Sequence, residues 1–200
     1  MASLFETLTQ TLGGDTLKQI ASQVGADEKT TGTAVAAALP TLMSALARNA
    51  SKDDGASSLH RALEKDHDGS ILDNLGGFLG KPEAGPGEGI LRHLLGNQRR
   101  AVETGLSRSS GLSAESTSKL LTTLAPILLG ALGRQQKQEG LDPSKLAGLL
   151  GSERKEVERR APEAMGLAGA LLDADGDGDV EIDDIAKKGL GMLGKMFGKG

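Results

Sequence analysis

The chain of 200 residues has no cysteine, no tryptophan and no tyrosine, and its few aromatic side chains are Phe5, Phe78 and Phe197. Without cysteine there are no disulfides, no thiolate chemistry and no cysteine-based zinc sites. With 2% aromatics the core falls to Leu, Ala, Ile, Val and Met. Such cores suit packed helices better than sheets, which favour β-branched and aromatic residues. A basic excess is also missing: 23 Lys and Arg face 27 Asp and Glu, for a net charge of −4. Nucleic acid calls for clustered cations, whereas Arg99-Arg100 and Arg159-Arg160 are isolated pairs, so no nucleic-acid partner is expected. The most apolar runs, 34–47 and 120–133, hold about fourteen residues each, and a membrane span needs ~20. They read as buried helices. The first twelve residues carry Glu6 and no basic residue, unlike a signal peptide, so cytoplasmic residence is expected.

What is present is an internal echo. Displaced by 86 residues, Gly25 falls on Gly111, Leu39-Pro40 on Ala125-Pro126, Leu42-Met43 on Leu128-Leu129, Ala45-Leu46 on Ala131-Leu132 and Arg48 on Arg134. Upstream, Leu12-Gly13 resembles Leu95-Gly96. Downstream, residues 66–71 (DHDGSI) resemble 175–180 (DGDGDV). Shared order of four landmarks is hard to obtain by chance and is the mark of duplication. The expected fold is all-α: two tandem copies of a multi-helix unit.

Asp27 and Ser113 stand where N-caps belong, ahead of the apolar period. Leu120, Leu121, Leu124, Ile127, Leu128, Ala131 and Leu132 recur at helical spacing. Pro40 and Pro126 lack an N–H and crowd the preceding turn, which predicts a kink or a restart at each. Asp142-Pro143 reads as a cap followed by proline at the first helical position. Gly130 and Gly133 leave room for close helix contact. The expected organisation is a first repeat over 1–81, a Gly/Pro-rich connection at 82–89, a second repeat over 90–185, and a Gly/Lys-rich amphipathic tail over 186–200. Within the second repeat, residues 152–162 form a charge-dense insert, read as a solvated helix or loop.

The pieces Gly89–Gly96, Ser110–Leu112, Leu124–Ile127 and Leu171–Asp173 with the following Asp-Gly-Asp-Gly run resemble the YidB-like bacterial proteins of unknown function, domain-of-unknown-function group 937. The resemblance spans about Leu4 to Ile185. It implies a bacterial helical protein and no activity, since no catalytic residues come with it.

Catalysis needs a positioned acid, base, nucleophile or metal. The histidines are His60, His67 and His93. His93, in an apolar turn, reads as a packing residue. His60 and His67 lie near Asp66 and Asp68, but Asp68-Gly69 breaks a helix there. Residues 189–195 (GLGMLGK) nearly spell a phosphate loop, yet Met196 stands where magnesium needs a hydroxyl and no strand precedes. The protein is therefore expected not to be an enzyme.

One segment carries a metal hypothesis. Read as a twelve-residue calcium loop, 173–184 puts Asp173, Asp175, Asp177 and Asp184 at positions 1, 3, 5 and 12, with Gly178 at the sharp turn. Asp179 offers its carbonyl at position 7, Glu181 acts through water, and Val180 packs inward. The competing reading is an Asx-type turn that caps the next helix. In the first copy Leu75 occupies the twelfth position, so 64–75 does not close round an ion in the same way. The expected function is a non-catalytic helical binding or scaffolding protein, with Ca2+ through one EF-hand-like loop and an unidentified protein partner or self-association. The alternative is a peripheral membrane-surface protein held by its tail, where four lysines, no acids and Leu190, Met192, Leu193, Met196 and Phe197 alternate with glycines.

Overall fold

Three polar residues start the longest helices. Asp27 is extended at φ −72°, ψ 159°, and its carboxylate accepts the Thr30 N–H at 2.9 Å. Ser113, at φ −63°, ψ 158°, accepts the Ser116 N–H at 3.0 Å. Asp142 accepts the Lys145 N–H at 2.9 Å ahead of Pro143. Each satisfies a donor that the first helical turn leaves without a partner. Gly25 and Gly111, 86 residues apart, end the preceding helices in the left-handed region at φ 72° and 82°, where a side chain would cost about 1–2 kcal/mol.

The computed structural model describes residues 3–52, 54–80 and 86–172. These form α1 (Leu4–Thr11), α2 (Asp15–Val24), α3 (Glu28–Ala50), α4 (Gly55–Asp66), a 3-10 turn (Ser70–Asn74) running into α5 (Leu75–Leu79), α6 (Gly87–Leu95), a second 3-10 turn (Gly96–Gln98), α7 (Arg99–Ser110), α8 (Ala114–Glu139), α9 (Pro143–Arg160) and α10 (Pro162–Leu172). No strand occurs among the described residues, so the all-helical expectation holds.

Helix α3 runs through Pro40 and α8 through Pro126 as single elements, with no restart. Proline cannot donate to the carbonyl four residues back. For Pro126 that carbonyl belongs to Thr122, and the first residue of α6, Gly87, lies against it so closely that a Cβ there would collide. A glycine thus lets a neighbouring backbone approach where the proline has opened the helix.

The middle stretches of α3 and α8 are buried on every side, as expected of helices wholly within a core. Helix α3 is also long and apolar enough to pass a test for a membrane span, but 72% of the window concerned is buried inside the fold. One hydrophobic cluster extends from Leu4 to Leu172. Its packing crosses over. Helices α9 and α10 lie on α3, while α4 and the 3-10 turn at Ser70–Asn74 lie on α8. Each long helix therefore finishes its core with elements that follow the other one.

The stretch 152–162 is a largely exposed helix except at Glu153 and Val157. Through Arg160 it continues α9, whose buried stripe is Leu146, Leu150, Glu153 and Val157. Glu153, only 6% exposed, accepts the Phe5 N–H at 3.1 Å. A carboxylate from α9 thereby caps the first turn of α1, where anionic groups are stabilised by the helix dipole.

Candidate functional site

Two arginines separated by the 86-residue offset each hold a main-chain carbonyl of a distant segment. Arg134 on α8 donates to the Gly69 carbonyl at 2.7 Å and to Asp73 Oδ1 at 2.5 Å. The Asp68-Gly69 turn itself is an Asx turn, Asp68 Oδ1 accepting the Ser70 N–H at 3.0 Å. That backbone hydrogen bond is the main reason the Asp68 carboxyl sits below its ordinary pKa. The turn rests in notches made by two glycines. A Cβ at Gly133 would strike the His67 carbonyl, and one at Gly130 would strike the Ile71 side chain. The close contact expected at these glycines is real, but a turn makes it, not a helix. Burial pushes the His67 imidazole below its usual range, against a smaller upward pull from Asp66.

Arg48 on α3 is the counterpart. It donates to the Leu172 carbonyl at 2.5 Å and to Gln98 Oε1, while Gln98 Nε2 donates to the same Leu172 carbonyl at 2.8 Å. This clasp holds the last described residue. The five candidate calcium ligands Asp173, Asp175, Asp177, Asp179 and Asp184 follow it and lie outside the described residues, as do Glu181, the phosphate-loop-like 189–195 and the tail 186–200. Among the described residues no group of three or more His, Asp or Glu side chains is placed to hold a metal ion.

The histidines separate into two surroundings. His60 Nε2 bonds the Leu141 carbonyl at 2.9 Å, and its Nδ1 stands 3.5 Å from Glu64 one helical turn on. Both line a cleft of about 660 Å3 between α4 and the end of α8, together with Asp68, Lys137 and Asp142. No hydroxyl or thiol lines it, and the Asp142 carboxylate is already engaged as a cap. Gln136, at the cleft floor and 5% exposed, donates weakly to the His60 carbonyl at 3.5 Å while its Oε1 has no partner among the described residues. The arrangement ties α4 to the α8–α9 corner through main-chain carbonyls.

His93 is not a packing residue. It is exposed on α6, where Leu91, Leu94 and Leu95 face inward instead. It borders a groove of about 900 Å3 between α3, α4 and α6. Leu46, Leu94 and Leu129 form the buried floor, and half-buried Leu59 and Ile90 form the walls. The charges around it, Lys52 and Lys65 with Asp54 and Asp66, are of both signs. Asn49 closes one side and donates to the Leu94 carbonyl at 2.8 Å, fixing α6 to α3. An apolar floor with a mixed polar edge is what receives the apolar face of a helix or a small apolar ligand. Nothing in sequence spacing marked this groove, because its walls come from three separate segments.

The arginine pairs are used within the fold. Arg99 grips both Glu88 oxygens at 2.6 and 2.8 Å and Glu103 at 2.9 Å. Hydrogen bonding to Arg99 holds the Glu88 carboxyl below its ordinary pKa. Arg159 and Arg160 both bind Glu156, and Arg160 also lies 3.7 Å from Glu6. Three of the four guanidinium groups are thus committed to carboxylates, which lowers their value as phosphate ligands.

Against known proteins, the family model for a bacterial protein of unknown function (DUF937) matches residues 6–135. No curated protein and no solved structure matches the chain.

Proposed function

We propose, for a chain that belongs to the DUF937 family of bacterial proteins of unknown function, a non-catalytic role as a helical binding or scaffolding protein. The observation that carries this reading is the apolar groove between α3, α4 and α6, with half-buried Leu59 and Ile90 on its walls. A groove of about 900 Å3 has the size of a ligand or helix-docking site. We read the chain as a duplicated unit, each long helix bent at its proline, working in the cytoplasm. The matching caps at Asp27 and Ser113 and the left-handed Gly25 and Gly111 support that reading. Calcium at Asp173, Asp175, Asp177, Asp179 and Asp184 belongs to the same proposal, as a property of the second segment.

Affinity capture from a bacterial lysate, with and without calcium, tests the binding role. The full chain retains a defined set of proteins, and the Leu59→Asp/Ile90→Asp variant loses them while keeping its helical circular dichroism. An identical set on both proteins contradicts the groove as the binding site. Calcium is tested separately by titration calorimetry on the full chain and on Asp173→Ala. No calcium-dependent heat at millimolar concentration ends that part. The membrane-surface alternative rests on the four tail lysines and predicts co-sedimentation with anionic vesicles that is lost on removing 186–200.

A further inference from the structure

We propose that the groove between α3, α4 and α6 docks a second copy of this chain, the two α4 helices lying antiparallel about a two-fold axis at Leu59. This rests on the binding reading and names the partner of the same site.

The edge of the groove carries the argument. Among the described residues it holds Lys52 and Asp54 just ahead of α4, and Lys65 and Asp66 in the last turn of α4. All four are exposed, and none makes an ion pair among the described residues. Lys18, Lys119 and Lys145, by contrast, each find a carboxylate within one helical turn. A groove shaped for a strongly charged partner is edged by one sign, opposite to that partner. An edge with both signs in equal number suits a partner whose charges run in the reverse order. An inverted copy of the same edge is such a partner.

The spacing fits a two-fold axis. Leu59 stands seven residues after Lys52 and seven before Asp66, while Asp54 lies five before it and Lys65 six after. With one α4 reversed on the other and Leu59 on the axis, Lys52 of each copy meets Asp66 of the other, and Asp54 meets Lys65. Each contact then occurs twice, as an isologous interface requires. The charges stand at the two ends of a helix of 12 residues, ~18 Å long, so they fix its direction. A parallel arrangement would set Lys52 beside Lys52 and Asp66 beside Asp66.

The middle of the groove is apolar. Helix α4 turns Ser58, Leu59 and Ala62 towards it, and α6 turns Ile90. Leu59 and Ile90 are half-buried in the single chain, and the second copy's α4 closes them off from water. Ser58 and Ala62 are short enough to let two helix axes approach to about 8–10 Å. Exposed ion pairs are individually weak, so the apolar contact supplies the affinity and the charges supply the direction.

Sedimentation equilibrium of the full chain tests this. The apparent mass should rise with concentration from monomer towards dimer in the micromolar to millimolar range. Lys52→Asp sets acid against acid and Asp66→Lys sets lysine against lysine, so each alone should weaken the dimer by roughly tenfold. An equimolar mixture of the two variants restores opposite charges at both contacts and should dimerise as tightly as the unaltered chain. Both positions are exposed, so the helical circular dichroism of each variant should stay unchanged. Leu59→Asp places two carboxylates on the axis and should abolish the dimer. A monomer throughout that range, single variants that dimerise as well as the unaltered chain, or a mixture no tighter than its components would overturn the proposal. Lysate capture separates this from the underlying reading. Capture lost with Leu59→Asp/Ile90→Asp, by a chain that stays monomeric, overturns the second copy and leaves the groove as a binding site. A dimer with the expected charge rescue and no captured protein supports the second copy and confines the binding role to self-association.

Discussion

Arg134 and Arg48 lie 86 residues apart on the two long helices, yet what they hold differs. In the first segment the Asp-Gly turn is drawn tight against α8: Arg134 takes both the Gly69 carbonyl and the Asp73 carboxylate, and Gly130 and Gly133 give way beneath it. In the second, Arg48 shares the Leu172 carbonyl with Gln98, and the positions matching the two glycines are Ser44 and Ala47. In the first segment the Asp73 carboxylate is paired with Arg134. The comparison teaches that an Asp-Gly turn received by two glycines and an arginine is a packing device.

The largest expected effects ask whether the two segments share a core equally. Leu42 and Leu128, 86 residues apart, are both fully buried. Replacing either by alanine should cost about 2–5 kcal/mol, lowering the melting temperature by a similar amount in each case. A cost confined to one of them would mean that the halves are stabilised separately.

Next in size is the asymmetry itself. Gly133→Ala forces a Cβ onto the His67 carbonyl and should destabilise by about 1–3 kcal/mol through overpacking, although alanine favours a helix. The mirrored change, Ala47→Gly, should cost only the helix propensity, ~1 kcal/mol. Denaturant midpoints in which Gly133→Ala is neutral or stabilising would refute the docked turn. Arg134→Ala should cost about 1–3 kcal/mol, since it strips the partner from a carbonyl and a carboxylate, and should speed hydrogen exchange at Ser70–Asn74 more than at Leu171-Leu172. Arg48→Ala should reverse that order. Exchange that rises equally at both places would show that the clasps are not local.

Much of this fold was legible along the chain. The caps Asp27, Ser113 and Asp142-Pro143 and the turn glycines Gly25 and Gly111 act through neighbours three or four residues away, so spacing reveals them. The crossing of α9 and α10 onto α3 does not show in spacing, because it joins residues more than a hundred positions apart. The same limit hid the groove and made Glu153 look solvated, although it meets Phe5 across 148 residues. His93 misled for a different reason. Its leucine neighbours set an apolar context, but helical geometry turns Leu94 inward and His93 out.

The smallest effect expected concerns acid. The Asp27 and Asp142 carboxyls are held below their ordinary pKa chiefly by the backbone N–H groups they accept. A depressed carboxyl pKa adds stability above the unfolded value, near 3.8, and that stability is lost as the pH falls through the lower folded value. Asp27→Asn keeps a capping oxygen without the charge, so the stability of this variant should fall less steeply below pH 4. An unchanged acid limb in its denaturation curves would mean that the cap carries no proton linkage.

The account stands or falls on the crossed packing, in which neither half owns a complete core. The direct measurement is circular dichroism of residues 1–86 and 87–200 prepared as separate chains. Each alone should show far less helix than its share of the full chain, and mixing them in equal amounts should restore the helical signal with a cooperative melt. Two halves that are each fully helical, melt cooperatively alone and do not change on mixing would contradict it.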